Sequence, residues 1–151
     1  MQLNLKTDYS LRLLLFLAVH PGEVVPVGRV AKVFGVSSHH LAKVAQTLAD
    51  LGFIAVQRGR GGGISLAENP SQVSLSAVVR KVEGSLALVE CFDPKTNTCV
   101  IAPVCGLKKI LHEAQGAFFA VLGKYSLADL LKNPAALRAL LHQQEALQRG
   151  V

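Results

Sequence analysis

The sequence predicts a mainly α chain carrying one small β-hairpin, and three observations predict it. Three apolar patterns with helical spacing open the chain, each stopped by a glycine. Two short strand-like runs follow, joined by Arg58-Gly59-Arg60-Gly61-Gly62-Gly63. Leu- and Ala-rich helical patterns then resume around a loop that holds all three cysteines. Half of the 151 residues are apolar and 17% are charged, a balance that folds rather than stays disordered. Trp is absent and aromatics make up 5%, so the core must rest on Leu, Val, Ile and Ala.

The first predicted helix runs from Asp8 to Val19. Leu11, Leu14, Leu15 and Ala18 share one face, Thr7 or Asp8 accepts the first free amides, and His20-Pro21-Gly22 stops it. Its apolar run is well short of the roughly 18 residues of a membrane helix and reads as a buried helix of a cytoplasmic protein. Val27 to Phe34 is a second helix ended by Gly35, and Ser37 caps a third from about Ser38 to Leu51. Phe53–Val56 and Ile64–Leu66 form the hairpin strands. After Asn69-Pro70-Ser71, a helix resumes from Val73 to Val82. A loop spans Cys91 to Cys105, and a long helix continues to about Lys124. A capping box of Ser126 and Asp129 starts another helix, and the tail after Asn133-Pro134 is helical. The division this suggests is a winged helix-turn-helix unit over 1–67, a connecting helix and cysteine loop over 68–104, and dimerisation and C-terminal helices over 105–151.

The third helix divides its faces in the way a groove-reading helix requires. Leu41, Val44, Ala45, Leu48 and Leu51 pack inward, while Ser37, Ser38, His39, His40, Lys43, Gln46 and Thr47 are offered to base edges and phosphates. The tight Gly35-Val36-Ser37 link has helix-turn-helix character. Arg58 and Arg60 lie among four glycines that let backbone approach a phosphate wall, and an extended Arg fits a narrow minor groove. A nucleotide-binding loop is excluded, because the glycines lack a following lysine with Ser or Thr. The formal charge of +6 suits a polyanion. Residues 1–67 carry seven Lys/Arg against three Asp/Glu, and residues 68–151 carry nine against seven. Double-stranded operator DNA is the expected partner.

Three cysteines with spacings of seven and five residues leave disulfide stapling a poor explanation. Thiolates are soft donors that suit iron–sulfur clusters or zinc. Zinc would favour paired C-x-x-C spacing, although His112 could serve as a fourth ligand, and a thiol switch needs only two of the three. Iron–sulfur is the favoured reading. With three cysteines, one iron corner of a four-iron cluster needs another ligand, and Asp8, Glu90, Asp93 and His112 have suitable chemistry. No Ser/His/Asp set or paired carboxylates stand at credible spacing, so catalysis is not expected.

Met1-Gln2-Leu3, Thr7 to Arg12, Gly35-Val36-Ser37, Leu51-Gly52-Phe53, Arg58 to Leu66 and the three cysteines resemble the Rrf-type (IscR/NsrR) family of winged-helix regulators, and within it the nitric-oxide-sensing repressors. The resemblance runs from Met1 to about Leu131. It implies a homodimer crossed by the helix from Cys105 to Lys124. It also implies a cluster, 4Fe-4S rather than 2Fe-2S, on Cys91, Cys99, Cys105 and Asp8 of the partner subunit, with Arg12 bridging the subunit contact. Nitric oxide would be the signal that releases the operator. The apolar stripe of Leu107, Ile110, Leu111, Ala114, Phe118, Val121 and Leu122 supports a dimer independently. Seven residues separate Cys91 from Cys99 where the family pattern has five. IscR-like members place a histidine three residues after the last cysteine; here that residue is Lys108. The alternatives on the same fold are an iron–sulfur-status or iron-responsive regulator and a thiol or zinc redox switch.

Overall fold

The computed structural model describes residues 2–149. Helix α1 spans Leu5–Ala18, and Asn4 caps it by accepting from the Thr7 N–H at 2.8 Å. The helix therefore starts earlier than Thr7 or Asp8 would have set it, and Asp8 lies within its first turn rather than at its cap. Nor is α1 a one-sided surface helix. Leu13, Leu14, Phe16 and Leu17 are buried while Leu11 and Leu15 are only half-buried, because the helices Ser38–Asp50 and Leu75–Glu83 and the hairpin surround it.

Helix α2 (Val27–Phe34) ends on Gly35 at φ 62°, a left-handed conformation that favours a residue without Cβ. Ser37 then caps α3 (Ser38–Asp50), accepting from the His40 N–H. Leu41, Val44, Ala45 and Leu48 turn inward as their spacing predicts. Strands β1 (Ile54–Gln57) and β2 (Gly63–Leu66) pair antiparallel, with Ile54 opposite Leu66 and Gln57 opposite Gly63.

The hairpin has a third partner that the sequence does not announce. Val25 bridges Ile64, each N–H donating to the other's carbonyl at 2.8 Å. This close approach explains Gly63. A Cβ there would stand 2.5 Å from the Val25 carbonyl oxygen.

Helix α4 (Leu75–Glu83) is capped by Ser74 and starts two residues after the predicted start at Val73. The cysteine loop follows, with short 3-10 turns at Glu90–Phe92 and Ala102–Val104. Helix α5 (Gly106–Leu122) buries Phe119 yet exposes Leu107, Ile110 and Val121. The capping box of Ser126 and Asp129 forms as expected, but on a 3-10 turn at Leu127–Leu130 rather than an α-helix. Helix α6 (Pro134–Arg149) folds back over α2, placing Leu141 in the same core as α1. Its Arg138 guanidinium donates to the Val19 carbonyl at 2.9 and 2.6 Å, occupying a carbonyl at the end of α1. Among the described residues, no helix is long and apolar enough to cross a membrane.

Candidate DNA interface and cysteine loop

The exposed face of α3 carries Ser38, His39, His40, Lys43 and Gln46 to solvent, with Thr47 half-buried beside them. Two of the candidate reading groups already have local partners. Gln46 Nε2 donates to Asp50 Oδ1 at 2.7 Å, and the Thr47 hydroxyl donates to the Lys43 carbonyl at 3.1 Å. Ser37 uses its hydroxyl as the cap, so it contributes to the helix start first. Arg58 and Arg60 stand exposed at the hairpin tip, where Gly59 and Gly61 take φ of 94° and 76°. The fold thus presents one helix face and one basic wing without strain on any residue that bears a Cβ.

Cys91 and Cys105 are half-buried, Cys99 is exposed, and all three are free thiols. Cys105 stands at the N-cap of α5 with no side-chain capping hydrogen bond. Among the described residues, no three His, Cys, Asp or Glu side chains converge closely enough to hold a metal ion. The donors nevertheless fit an iron–sulfur group by type. They are three soft thiols on one loop whose only regular structure is two single turns.

The remaining candidate ligands differ in how engaged they are. Glu90 accepts from the Thr98 hydroxyl and N–H at 2.7 and 2.6 Å, which hold its carboxyl below the usual carboxylate range. Asp93 accepts from the Lys95 N–H at 2.9 Å, and His112 stacks on Phe92 with ring centres 3.9 Å apart. Among the described residues the Asp8 carboxylate is held by Arg12 alone, at 2.7 and 3.1 Å, and both side chains are over a third exposed. A solvated i,i+4 pair of this kind contributes about 0.3–0.5 kcal/mol, so the carboxylate is released at small cost. Asp8 is not gathered with the cysteines of its own chain.

One linkage escaped the sequence reading. Glu83, at the end of α4, accepts from the Asn4 N–H at 3.0 Å and from the buried Thr7 hydroxyl. It ties the turn that carries Asp8 to the residue just before the segment leading into the cysteine loop. Partners 76 residues apart leave no local signal.

The Rrf2 family, described as iron-dependent transcriptional regulators, matches residues 3–133. The chain belongs to the Rrf2 family. This Rrf2 chain is 48% identical over 146 residues to the HTH-type transcriptional regulator NsrR of Bacillus subtilis (strain 168), covering 96% of this chain and 100% of that one. It is 50% identical over 142 residues to the NsrR regulator of Halalkalibacterium halodurans, covering 93% and 97%. Among solved structures, T. potens IscR superposes with a TM-score of 0.72 at 24% identity, over 91% of this chain and 90% of that one. CymR, the global cysteine regulator of B. subtilis, gives 0.69 at 23% identity, over 86% and 95%. Those two structures share the fold. Together the matches make the Rrf2 chain a DNA-binding transcriptional regulator of the winged-helix type and not an enzyme.

Proposed function

We propose that this Rrf2 chain is a homodimeric repressor that releases its operator in response to nitric oxide, through a 4Fe-4S cluster held by Cys91, Cys99 and Cys105 and by Asp8 of the partner subunit. The observation that carries the proposal is three free cysteines on one accessible loop, in a chain nearly half identical over its length to NsrR regulators. When bound, the cluster would supply iron with affinity for nitric oxide.

The rest is done by the chain's own side chains. Arg12 holds the Asp8 carboxylate at the surface of α1, loosely enough for it to change partner. Glu83 fastens the first turn of α1 to α4, so a pull on Asp8 is transmitted to a helix packed in the core. Leu107, Ile110 and Val121 on α5 present the apolar face that a second copy covers. The position of α1 relative to the partner then sets the separation of the two α3 helices. Half-sites lie about one helical turn of DNA apart or a multiple of it, so that separation governs affinity.

An iron-responsive role is a second reading. The family description and the likeness to IscR favour it, while Lys108, where IscR-like members carry a histidine, speaks against it. Titrating anaerobically purified protein with nitric oxide, while following operator affinity by fluorescence anisotropy, separates them. Affinity falling in step with added nitric oxide is expected. Affinity that answers only to iron supply replaces the first reading with the second.

A further inference from the structure

Helix α3 ends on a carboxylate that its surroundings do not favour. Asp50 is the last residue of the helix, where the macrodipole is negative and a cation would be the stabilising choice. It is the only Asp or Glu on α3, on a helix face offered to a polyanion. Residues 1–67 hold two other carboxylates, and each has a cation: Asp8 pairs with Arg12, and Glu23 with Arg29. Among the described residues, Asp50 makes no ion pair. What it holds is Gln46, whose Nε2 donates to its Oδ1 at 2.7 Å. His39, Lys43, Gln46 and Asp50 follow one another at helical spacing, so they form one exposed stripe.

The hydrogen bond has one possible sense. An ionised carboxylate only accepts, so the amide must turn its nitrogen to Asp50 and its oxygen away. One of the two Nε2 hydrogens is thereby spent. The other hydrogen and the Oε1 lone pairs remain, a donor beside an acceptor. In the major groove adenine alone sets an acceptor, N7, beside a donor, N6. Guanine shows two acceptors there, O6 and N7. An unconstrained glutamine can meet both with its two hydrogens. One whose second hydrogen is committed cannot, and its oxygen is left facing the guanine O6.

We infer, on the reading of α3 as the helix that enters the groove, that Asp50 fixes the Gln46 carboxamide so that Gln46 accepts adenine and rejects guanine. Asp50 touches no base; it is a positioning residue that sets specificity through its neighbour. In water such a pair one turn apart biases the amide only about twofold. Once water is expelled from between helix and base, the charge-assisted bond strengthens and the bias grows with it.

The test begins with full-length, anaerobically purified protein and a duplex library of randomised bases. Anisotropy then compares the enriched duplex with versions in which each A·T pair is replaced by G·C. The parent is measured beside Gln46→Ala, Asp50→Ala and Asp50→Asn. Both positions are exposed, and losing Asp50 removes a charge that the helix dipole opposes, so the fold is kept. Gln46→Ala is expected to erase the adenine preference at one position of each half-site. Asp50→Ala should lower the preference for adenine over guanine at that same position by about fivefold, the lower end of what one side-chain–base pair discriminates. Preferences elsewhere should stay as they were. Asp50→Asn keeps an acceptor for Nε2, so it should retain the preference while binding every duplex more tightly, a negative charge having left the interface.

An Asp50→Ala protein that binds all duplexes more tightly, with its adenine preference intact, overturns the inference. So does a preference that Asp50→Asn loses as fully as Asp50→Ala. A Gln46→Ala protein with every preference of the parent takes Gln46 out of base reading, and the inference falls with it. A parent that enriches no sequence instead refutes groove reading by α3 itself.

Discussion

Replacing Gly63 with alanine tests how the wing is anchored. The added Cβ would lie 2.5 Å from the Val25 carbonyl oxygen, 2.6 Å from its carbonyl carbon and 2.9 Å from the Pro26 nitrogen. All three are backbone atoms, so no flexible side chain can yield, and β2 must move off Val25. That move breaks the two 2.8 Å hydrogen bonds between Val25 and Ile64. Each contributes about 1 kcal/mol net, and forcing a methyl into packed backbone adds about 1–3 kcal/mol. The sum is about 3–5 kcal/mol. For a chain of this size each kcal/mol lowers Tm by about 2–4 °C, so Gly63→Ala should melt about 6–20 °C below the parent. Thermal unfolding by circular dichroism measures this, and operator binding by anisotropy at a temperature where both proteins are folded measures the displaced wing. Gly61→Ala is the control. It has open space around it and a φ of 76°, so only the cost of about 1 kcal/mol for a left-handed alanine applies. A Gly63→Ala protein melting no lower than Gly61→Ala would refute the reasoning.

Arg60→Ala should reduce the slope of log affinity against log salt by about one, the signature of one lost phosphate contact; an unchanged slope removes Arg60 from the interface. The double change Leu107→Lys with Ile110→Lys places charge on the exposed face of α5 and should give monomers in sedimentation velocity, whereas a persisting dimer would assign the interface elsewhere. For Glu145, burial pushes the carboxyl up, but hydrogen bonding and charge from Arg29, with help from His142, hold it below its ordinary value of 4.5. A depressed carboxyl stabilises the native state above that value, and the contribution is lost as pH falls through the lowered one. The gap in urea stability between the parent and Glu145→Gln should therefore be open at pH 6 and close as the pH falls below 4.5 and through the lowered value; a gap that is constant with pH contradicts the Arg29 pairing.

Local chemistry made much of this molecule legible. Helices α2 and α3 were readable to within a residue, because Gly35 and Ser37 carry their boundaries in their own conformational preferences and hydrogen bonds. The wing was readable because no other element pairs two short strands across so many glycines. What failed was long-range. The start of α1 was misplaced because Asn4 is held by Glu83 as well as by the helix it caps, and that partner lies 79 residues away. The buried face of α1 was misjudged because a helix enclosed on several sides has no single apolar stripe. The Val25 bridge to the hairpin, and α6 clamped by Arg29–Glu145 and Arg138–Val19, are likewise products of tertiary packing. In the candidate site, the chemistry of Cys91, Cys99 and Cys105 was evident from composition alone, whereas the loose hold on Asp8 emerged only from its geometry with Arg12.

Ligation across the dimer can be tested by complementation. One copy carries Asp8→Ala and keeps its cysteines; the other keeps Asp8 and carries Ala at 91, 99 and 105. Mixed anaerobically, the pair contains one complete ligand set if the centre is shared between subunits, and none if each subunit builds its own. Shared ligation predicts about four irons per mixed dimer, with operator binding that nitric oxide abolishes. A mixed dimer whose operator binding ignores nitric oxide, beside a parent dimer that responds, would contradict it.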